Sequence, residues 1–170
     1  MRSSDTTIDF DIDLAKSQTD KNPVFYVQYA HARACSILRK AVENRLDIDN
    51  KTELEPLFKQ AEIDEFYKKT DIKPVFESAS EESAEAIKAL ILKLEEGKAL
   101  LANAVKYRAP YMICKYLMEL ANSFHHFYNF TRVLSDDKKD SLMKLALVNC
   151  FRIVMKTMLD LIGVQAVEKM

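Results

Sequence analysis

One stretch of the chain concentrates aromatic and basic side chains that could bind a flat, negatively charged partner. Residues 22–37, NPVFYVQYAHARACSI, contain three aromatic rings followed by an arginine: Phe25, Tyr26, Tyr29 and Arg33. The last three of these are three and four residues apart, which places them on one face of an α-helix. Tyrosine rings stack on nucleobases, and arginine hydrogen-bonds to base edges or phosphates. The spacing is therefore suited to single-stranded nucleic acid.

The same spacing is also typical of a packed helix. Tyrosine rings at helical intervals commonly lie against a neighbouring helix, with their hydroxyl groups at the rim of the contact. On pattern alone this is the commoner outcome, and the orientation of Tyr29 and Arg33 would separate the two. The alternative function is therefore a helical protein–protein interaction module that has no RNA role.

No catalytic or metal-binding pattern accompanies this stripe. No Glu lies three residues before any histidine, and two glycines cannot build a glycine-rich phosphate loop. His125 and His126 are adjacent, so on a helix they point about a hundred degrees apart, which predicts that one is half-buried and the other exposed. The three cysteines form no CxxC pair and lie among apolar residues, which predicts reduced core thiols in the cytosol: Cys35, Cys114 and Cys150.

Charge is distributed unevenly along a chain whose net charge is −1. Residues 46–82 are strongly acidic, whereas residues 83–170 carry more basic than acidic side chains. Residues 21–45 hold only one acid, Glu43, against Lys21, Arg33, Arg39, Lys40 and Arg45. A polyanion would therefore be attracted to the first long helix and the C-terminal half, and repelled by the middle of the chain.

Composition and periodicity predict a helical protein. Apolar residues make up 48% of the chain, and glycine and proline are scarce. The three-four spacing predicts long helices over about 22–45, 81–109, 110–130 and 138–162. We expect Gly97 to break the second of these. We also expect one short helix within 46–78. The predicted inner faces are Val27, Ala30, Ala34, Ile37, Leu38 and Ala41 in the first helix; Ile113, Leu117, Leu120, Ala121, Phe124, Phe127 and Tyr128 in the third; and Leu142, Leu145, Ala146, Cys150, Ile153, Val154, Met158 and Leu161 in the last. We expect an all-α bundle of four to five amphipathic helices.

The first twenty residues follow a different pattern. In TTIDFDIDLA the apolar residues Ile8, Phe10, Ile12 and Leu14 alternate with aspartates, which is the periodicity of a strand, although Asp is a poor strand former. A lone strand has no partner, so it would pair or dock outside this chain. We therefore expect an arm over residues 1–20, a helical domain over residues 21–170, and a chain that is a fragment.

The segment NPVFYVQYAHARACSILR resembles the hallmark segment of bacterial-type, class I arginyl-tRNA synthetases. In that family the segment opens the C-terminal, all-helical anticodon-binding domain of the DALR type. The similarity continues in order through RSSDTTIDFDIDLAKSQTDKNPV, YMICKYLMELANSFHHFYN and LVNCFRIVMKTMLDLIGVQAVEKM, whereas residues 46–78 show no such likeness. The resemblance implies recognition of the anticodon arm of arginine tRNA, whose anticodons all share a central cytosine.

The resemblance also implies site residues. In the family, a Tyr and an Arg four residues apart on this helix, together with the last residues of the chain, surround the anticodon. These match Tyr29, Arg33 and Met170, which would stack, hydrogen-bond and form an apolar wall respectively. Tyr26 and Gln28 are weaker matches. For His31, a packing or capping role is at least as compatible with the sequence as contact with RNA.

The family's catalytic half is missing from this sequence. A His-x-Gly-His type signature and a Lys-rich mobile loop handle ATP in that half, and neither occurs here. The resemblance therefore implies that this chain binds no cofactor or metal and does not aminoacylate alone, whereas ATP and Mg²⁺ would act in the catalytic domain of a parent arginine–tRNA ligase. The expected partners are arginine tRNA and that catalytic domain, and we expect a cytoplasmic monomer without membrane contact.

Overall fold

The computed structural model describes residues 11–19, 21–43 and 80–170, and these residues form helices and connecting loops without any strand. Numbered in order among them, the helices are α1 (Ile12–Lys16), α2 (Pro23–Glu43), α3 (Glu81–Lys106), α4 (Tyr111–Phe130) and α5 (Lys138–Leu161). The predicted all-α fold is confirmed. The short helix predicted within 46–78 lies outside the described residues. None of the described helices is both long and apolar enough to cross a membrane.

Four long helices pack into the bundle. α3 and α4 are antiparallel, because the start of α3 meets the end of α4 through Ser83 and Thr131, whose hydroxyls are 3.1 Å apart. α2 lies against α4 and α5, and the rings of Phe124 and Phe151 stack between α4 and α5 with centroids 3.9 Å apart. Burial of these apolar faces is the main stabilising term of such a bundle.

Asn22 begins α2 and also fixes the segment before it. Its side-chain oxygen accepts a hydrogen bond from the Val24 amide at 3.1 Å, and its amide group donates to the carbonyls of Ala15 and Ser17 at 3.0 and 2.9 Å. Pro23 occupies the first helical position, where its missing N–H has no cost. The predicted inner face of α2 is confirmed, since all of its members are buried: Val27, Ala30, Ala34, Ile37, Leu38 and Ala41.

The strand predicted for the arm is wrong over the part that the structure describes. Ile12 and Leu14 lie in α1, where Asp11 caps the helix by accepting a hydrogen bond from the Leu14 amide at 2.9 Å. Aspartate favours such caps and disfavours strands. Ile8 and Phe10 lie outside the described residues.

The predicted inner face of α5 is partly wrong. Leu145 and Met158 are buried as expected, but Ile153 and Leu161 are exposed. The buried positions of α5 are Ser141, Lys144, Leu145, Val148, Asn149, Phe151, Met155, Met158 and Leu159. Polar residues among them hide the periodicity, and Lys144 is tolerated because its ammonium group pairs with Asp140 at 2.6 Å. The predicted core location is also wrong for Cys114, which is exposed.

Gly97 does not break α3, which continues from Glu81 to Lys106. The reason for glycine is close packing: a Cβ at this position would lie 2.8 Å from the Tyr116 hydroxyl. That hydroxyl cannot move freely, since Tyr116 is buried and donates a hydrogen bond to the Lys93 carbonyl at 2.9 Å. Burial also raises the pKa of Tyr116 to about 12, with a smaller contribution from the charge of Glu96.

We predict that Gly97→Ala lowers the free energy of unfolding by about 1–2 kcal/mol, because overpacking outweighs the higher helix propensity of alanine. Thermal or urea unfolding followed by circular dichroism measures the change. In a Tyr116→Phe background, which lacks the hydroxyl, the same substitution should cost clearly less. An equal loss in both backgrounds would show that the hydroxyl is not the obstacle.

Candidate nucleic-acid interface

A groove of about 770 Å³ lies between α2, the α4–α5 loop and the final residues of the chain. Its lining includes all three residues matched most strongly in the sequence, Tyr29, Arg33 and Met170. We call it the α2 groove. Tyr29 is 37% exposed and Met170 is 56% exposed, so both present surface to a ligand in the groove.

Arg33 is held between two tyrosines on one wall of the α2 groove. Its guanidinium donates a hydrogen bond to the Tyr29 hydroxyl, and its Cζ lies 4.1 Å from the ring centroid of Tyr128 on α4. Partial burial acts to lower the pKa of Arg33, but contacts with Tyr128 and Tyr29 outweigh it and raise that pKa. Arg33 is therefore a fixed cation with donors available for a base edge or a phosphate.

The C-terminal tail, residues 164–170, forms another wall of the α2 groove. The tail leaves α5 at Gly163, whose φ of 74° suits glycine, and then lies along α2. Side chains of α2 donate hydrogen bonds to successive tail carbonyls: Gln28 Nε2 to Gln165 at 2.9 Å, His31 Nδ1 to Val167 at 2.9 Å, and Arg39 Nη2 to Glu168 at 3.1 Å. These bonds hold the tail where Met170 lines the same groove as Arg33.

His31 is a structural residue in this arrangement. It is 1% exposed, and burial lowers its pKa despite the opposing effect of the bond to Val167. A carbonyl can only accept, so Nδ1 carries the proton of the neutral ring. Since His31 is buried under the tail, it positions the tail rather than lining the groove.

The α4–α5 loop forms the floor of the α2 groove and is closely tied to α5. The Ser135 amide donates to the Ser141 hydroxyl at 2.8 Å, and the Ser135 hydroxyl donates to Asp140 at 2.9 Å. Lys144 joins Asp140 to the Arg132 carbonyl, at 2.6 and 3.3 Å. The floor is therefore a fixed surface.

Basic side chains predominate around the α2 groove. Arg33, Arg39, Lys40, Arg132 and Lys169 line it, and Glu168 is the only acidic side chain in the lining that the structure describes. Such an excess attracts phosphates at long range and makes the attraction sensitive to salt. Among residues 11–19, 21–43 and 80–170, no group of His, Cys, Asp or Glu side chains could hold a metal ion.

Comparison with known proteins identifies the family of this chain. The DALR anticodon binding domain matches residues 27–170, which is most of the chain. The chain belongs to the DALR anticodon binding domain family. Its resemblance to that domain of arginyl-tRNA synthetases is thereby confirmed.

Relatives of the whole chain are longer proteins. Over its own full length, this chain is 40% identical to the arginine–tRNA ligase of Desulforamulus reducens. Over the same length, it is 37% identical to arginine–tRNA ligase 1 of Halalkalibacterium halodurans. The chain spans 26% of the length of both relatives. A crystal structure assigned as an arginyl-tRNA synthetase from Campylobacter jejuni is similar over 99% of this chain and 31% of that one, with a TM-score of 0.69 and 28% identity.

The remaining residues singled out in the sequence lie outside the lining of the α2 groove in this DALR domain. Gln28 is half-buried and holds the tail, and Tyr26 donates a hydrogen bond to Asn122 on α4 at 2.6 Å. Neither residue lines the α2 groove. As predicted from their adjacency, His125 is half-buried and His126 is exposed.

Sequence reasoning missed several lining residues of the α2 groove. Tyr128 was assigned to the inner face of α4, but it is half-buried and supports Arg33 instead. Arg132, Val133 and Leu134 lie in a loop that has no periodic signal. The basic excess of residues 21–45 was the one available indication that Arg39 and Lys40 line a candidate site.

We predict that the chain becomes less stable as the pH falls below about 6.5, the pKa of an unperturbed histidine. Burial lowers the pKa of His31, and burial together with the charge of Arg33 lowers that of His125. In that pH range the unfolded chain binds protons that the folded chain does not, so the free energy of unfolding decreases as the pH is lowered. Thermal melts between about pH 7.5 and 5.5 measure the trend. His125→Gln should flatten it, whereas the exposed control His126→Gln should not.

We also predict that His31→Leu releases the tail while the bundle stays folded. The substitution removes the donor to the part-buried Val167 carbonyl, and leaving that carbonyl unpaired under the docked tail costs up to roughly 1–3 kcal/mol. Removal of the C-terminal residues by carboxypeptidase should speed up, whereas the helix content measured by circular dichroism should stay the same. His126→Leu serves as the control for a histidine lost elsewhere. An unchanged rate of digestion would show that His31 does not hold the tail.

Proposed function

We propose that this chain recognises the anticodon arm of arginine tRNA as the C-terminal domain of an arginine–tRNA ligase. The observation that carries the proposal is the α2 groove, in which Tyr29, Arg33 and Met170 meet although Met170 is far from the others in sequence. Membership of the DALR anticodon binding domain family and the arginine–tRNA ligase relatives support it.

Each of the three residues has a chemical role in this proposal. Tyr29 offers a ring on which the central cytosine stacks. Arg33 has only donors, which suit the ring nitrogen and carbonyl acceptors of that base or a neighbouring phosphate. Met170 supplies a soft apolar surface on the opposite side of the base. Specificity comes from stacking and edge contacts, whereas the surrounding arginines and lysines supply affinity that depends on salt.

The catalytic step is assigned to a domain outside this chain. In this proposal the bundle holds the anticodon while a catalytic domain, which uses ATP and Mg²⁺, attaches arginine to the far end of the tRNA. Residues 1–20 are then the arm that leads from that domain, and residues 21–170 are the anticodon-binding domain. The cytoplasm is the proposed compartment and a monomer the proposed state.

The helical protein-interaction module is less well supported. Family membership and relatives both favour RNA recognition, and the α2 groove is bordered mainly by basic side chains. Salt separates the two functions, because RNA affinity falls steeply as salt rises and an apolar protein contact does not. Titration of an arginine anticodon stem-loop at several salt concentrations therefore tests the class of ligand.

We predict that Tyr29→Ala weakens binding of an arginine anticodon stem-loop by roughly 1–3 kcal/mol, the usual contribution of one stacked base. Fluorescence anisotropy measures the affinity, with stem-loops that differ only in the central anticodon base. The wild-type chain should prefer central cytosine, and the variant should bind that stem-loop more weakly because the stacking surface is lost.

Tyr111→Ala is the matched control, because Tyr111 is 63% exposed at the opposite end of α4. It should bind like the wild type. Equal affinities of the wild-type chain for all central bases would remove the specificity claim. A Tyr29→Ala variant that binds the central-cytosine stem-loop as tightly as the wild type would exclude Tyr29 from the site.

A further inference from the structure

A second hollow, of about 310 Å³, lies on the other side of Tyr29 from the α2 groove. Most of its wall is aromatic: Phe25, Tyr26 and Tyr29 from α2, and His125 from α4. The linker before α2 and Asn129 complete the lining. We call it the aromatic hollow. Its volume is at the lower end of the ~300–1,000 Å³ typical of small-ligand pockets.

Each ring of the aromatic hollow lies next to another ring of the hollow. The ring of Tyr29 is nearly parallel to those of Phe25 and His125, with interplanar angles of 12° and 25° and centroid distances of 6.4 and 5.8 Å. Tyr26 is tilted by 52° against His125, at 4.9 Å. The wall of the hollow therefore offers several ring surfaces to another flat group.

His125 contributes an uncharged ring to the aromatic hollow. Burial lowers its pKa, and the positive charge of Arg33 lowers it further. Its Nε2 atom is buried without a hydrogen-bond partner in the part of the chain that the structure describes. A hollow lined in this way favours a neutral, flat, apolar surface over a charged group.

We propose that the aromatic hollow binds a second base of the same anticodon loop, adjacent to the base in the α2 groove, and that it does so by stacking without reading that base's identity. The inference rests on the proposed function. Tyr29 is the shared wall between the two cavities, so it would separate two neighbouring bases that have been splayed apart.

The chemistry of the two cavities fits this division. The α2 groove carries Arg33 and other donors, which can distinguish one base edge from another. The aromatic hollow is lined mainly by rings, and every base has a π-face that a ring can stack on. By the genetic code, arginine anticodons share their central cytosine but differ at both neighbouring positions. Such a set of tRNAs suits an aromatic hollow that accepts any base and an adjacent α2 groove that is specific for cytosine.

The test varies the RNA first, so that the protein stays intact. Stem-loops carry central cytosine and, at one or the other neighbouring position, an abasic nucleotide or 2-aminopurine. We expect an abasic site at one of these two positions to weaken binding roughly 5- to 150-fold. 2-Aminopurine at that position should be quenched on binding, since stacking quenches its fluorescence. Exchanging the natural bases there should change affinity little.

The second arm of the test varies the protein. Phe25→Leu keeps apolar volume but removes one ring of the aromatic hollow, and Phe25 does not line the α2 groove. It should weaken binding of the intact stem-loop several-fold and have little effect on the abasic one, while preference for central cytosine is retained. Tyr111→Leu is the control, and thermal melts check that each variant folds.

The outcomes separate the two proposals. Suppose that stem-loops with an abasic nucleotide at either neighbouring position bind as tightly as natural RNA, and that 2-aminopurine fluorescence is quenched at neither position. This result would overturn the second base site and leave recognition of the central cytosine in place. The same holds if Phe25→Leu weakens intact and abasic RNA equally. Loss of discrimination at the central base would overturn the proposed function itself. A hollow filled instead by a protein segment would give no response to the RNA changes, which also overturns this proposal.

Discussion

The candidate binding site depends on hydrogen bonds between α2 and the tail that follows α5. The tail has no helix of its own to satisfy its carbonyl groups, and side chains of α2 satisfy three of them: those of Gln165, Val167 and Glu168. The bond from His31 is the least exposed of these, since it is part-buried and the other two are exposed, and a hydrogen bond costs more to lose as access to water falls. Without this attachment the α2 groove would lack one wall.

One helix serves both the core and the site because its residues are divided by face and by size. Small side chains such as Ala30 and Ala34 are fully buried against the bundle, which lets α2 approach α4 and α5 closely. Tyr29 and Arg33 lie at the edge of that contact, supported by Tyr128 and His125 but still partly exposed. The packed interpretation of the tyrosine pattern is partly correct, because Tyr29 stacks on neighbouring rings. Tyr29 also lines two cavities, so the RNA-facing interpretation stays a prediction.

Local periodicity was sufficient to predict the long helices and the inner face of α2, because these depend on spacing within one segment. It was insufficient where polar residues are buried, as with Lys144 and Asn149 on α5, or where a distant contact dictates the residue, as Tyr116 does for Gly97. Spacing singled out Tyr29 and Arg33 as candidates, and resemblance to a family added Met170. The hydrogen bonds between α2 and the tail join segments over a hundred residues apart, and no local pattern encodes such contacts.

The most direct test of this account is a crystal structure of the chain bound to an arginine anticodon stem-loop. The account predicts that the central cytosine lies in the α2 groove, stacked on Tyr29, within hydrogen-bonding distance of Arg33 and in contact with Met170. A complex in which the anticodon loop lies on another face of the bundle, and the α2 groove holds no base, would contradict it.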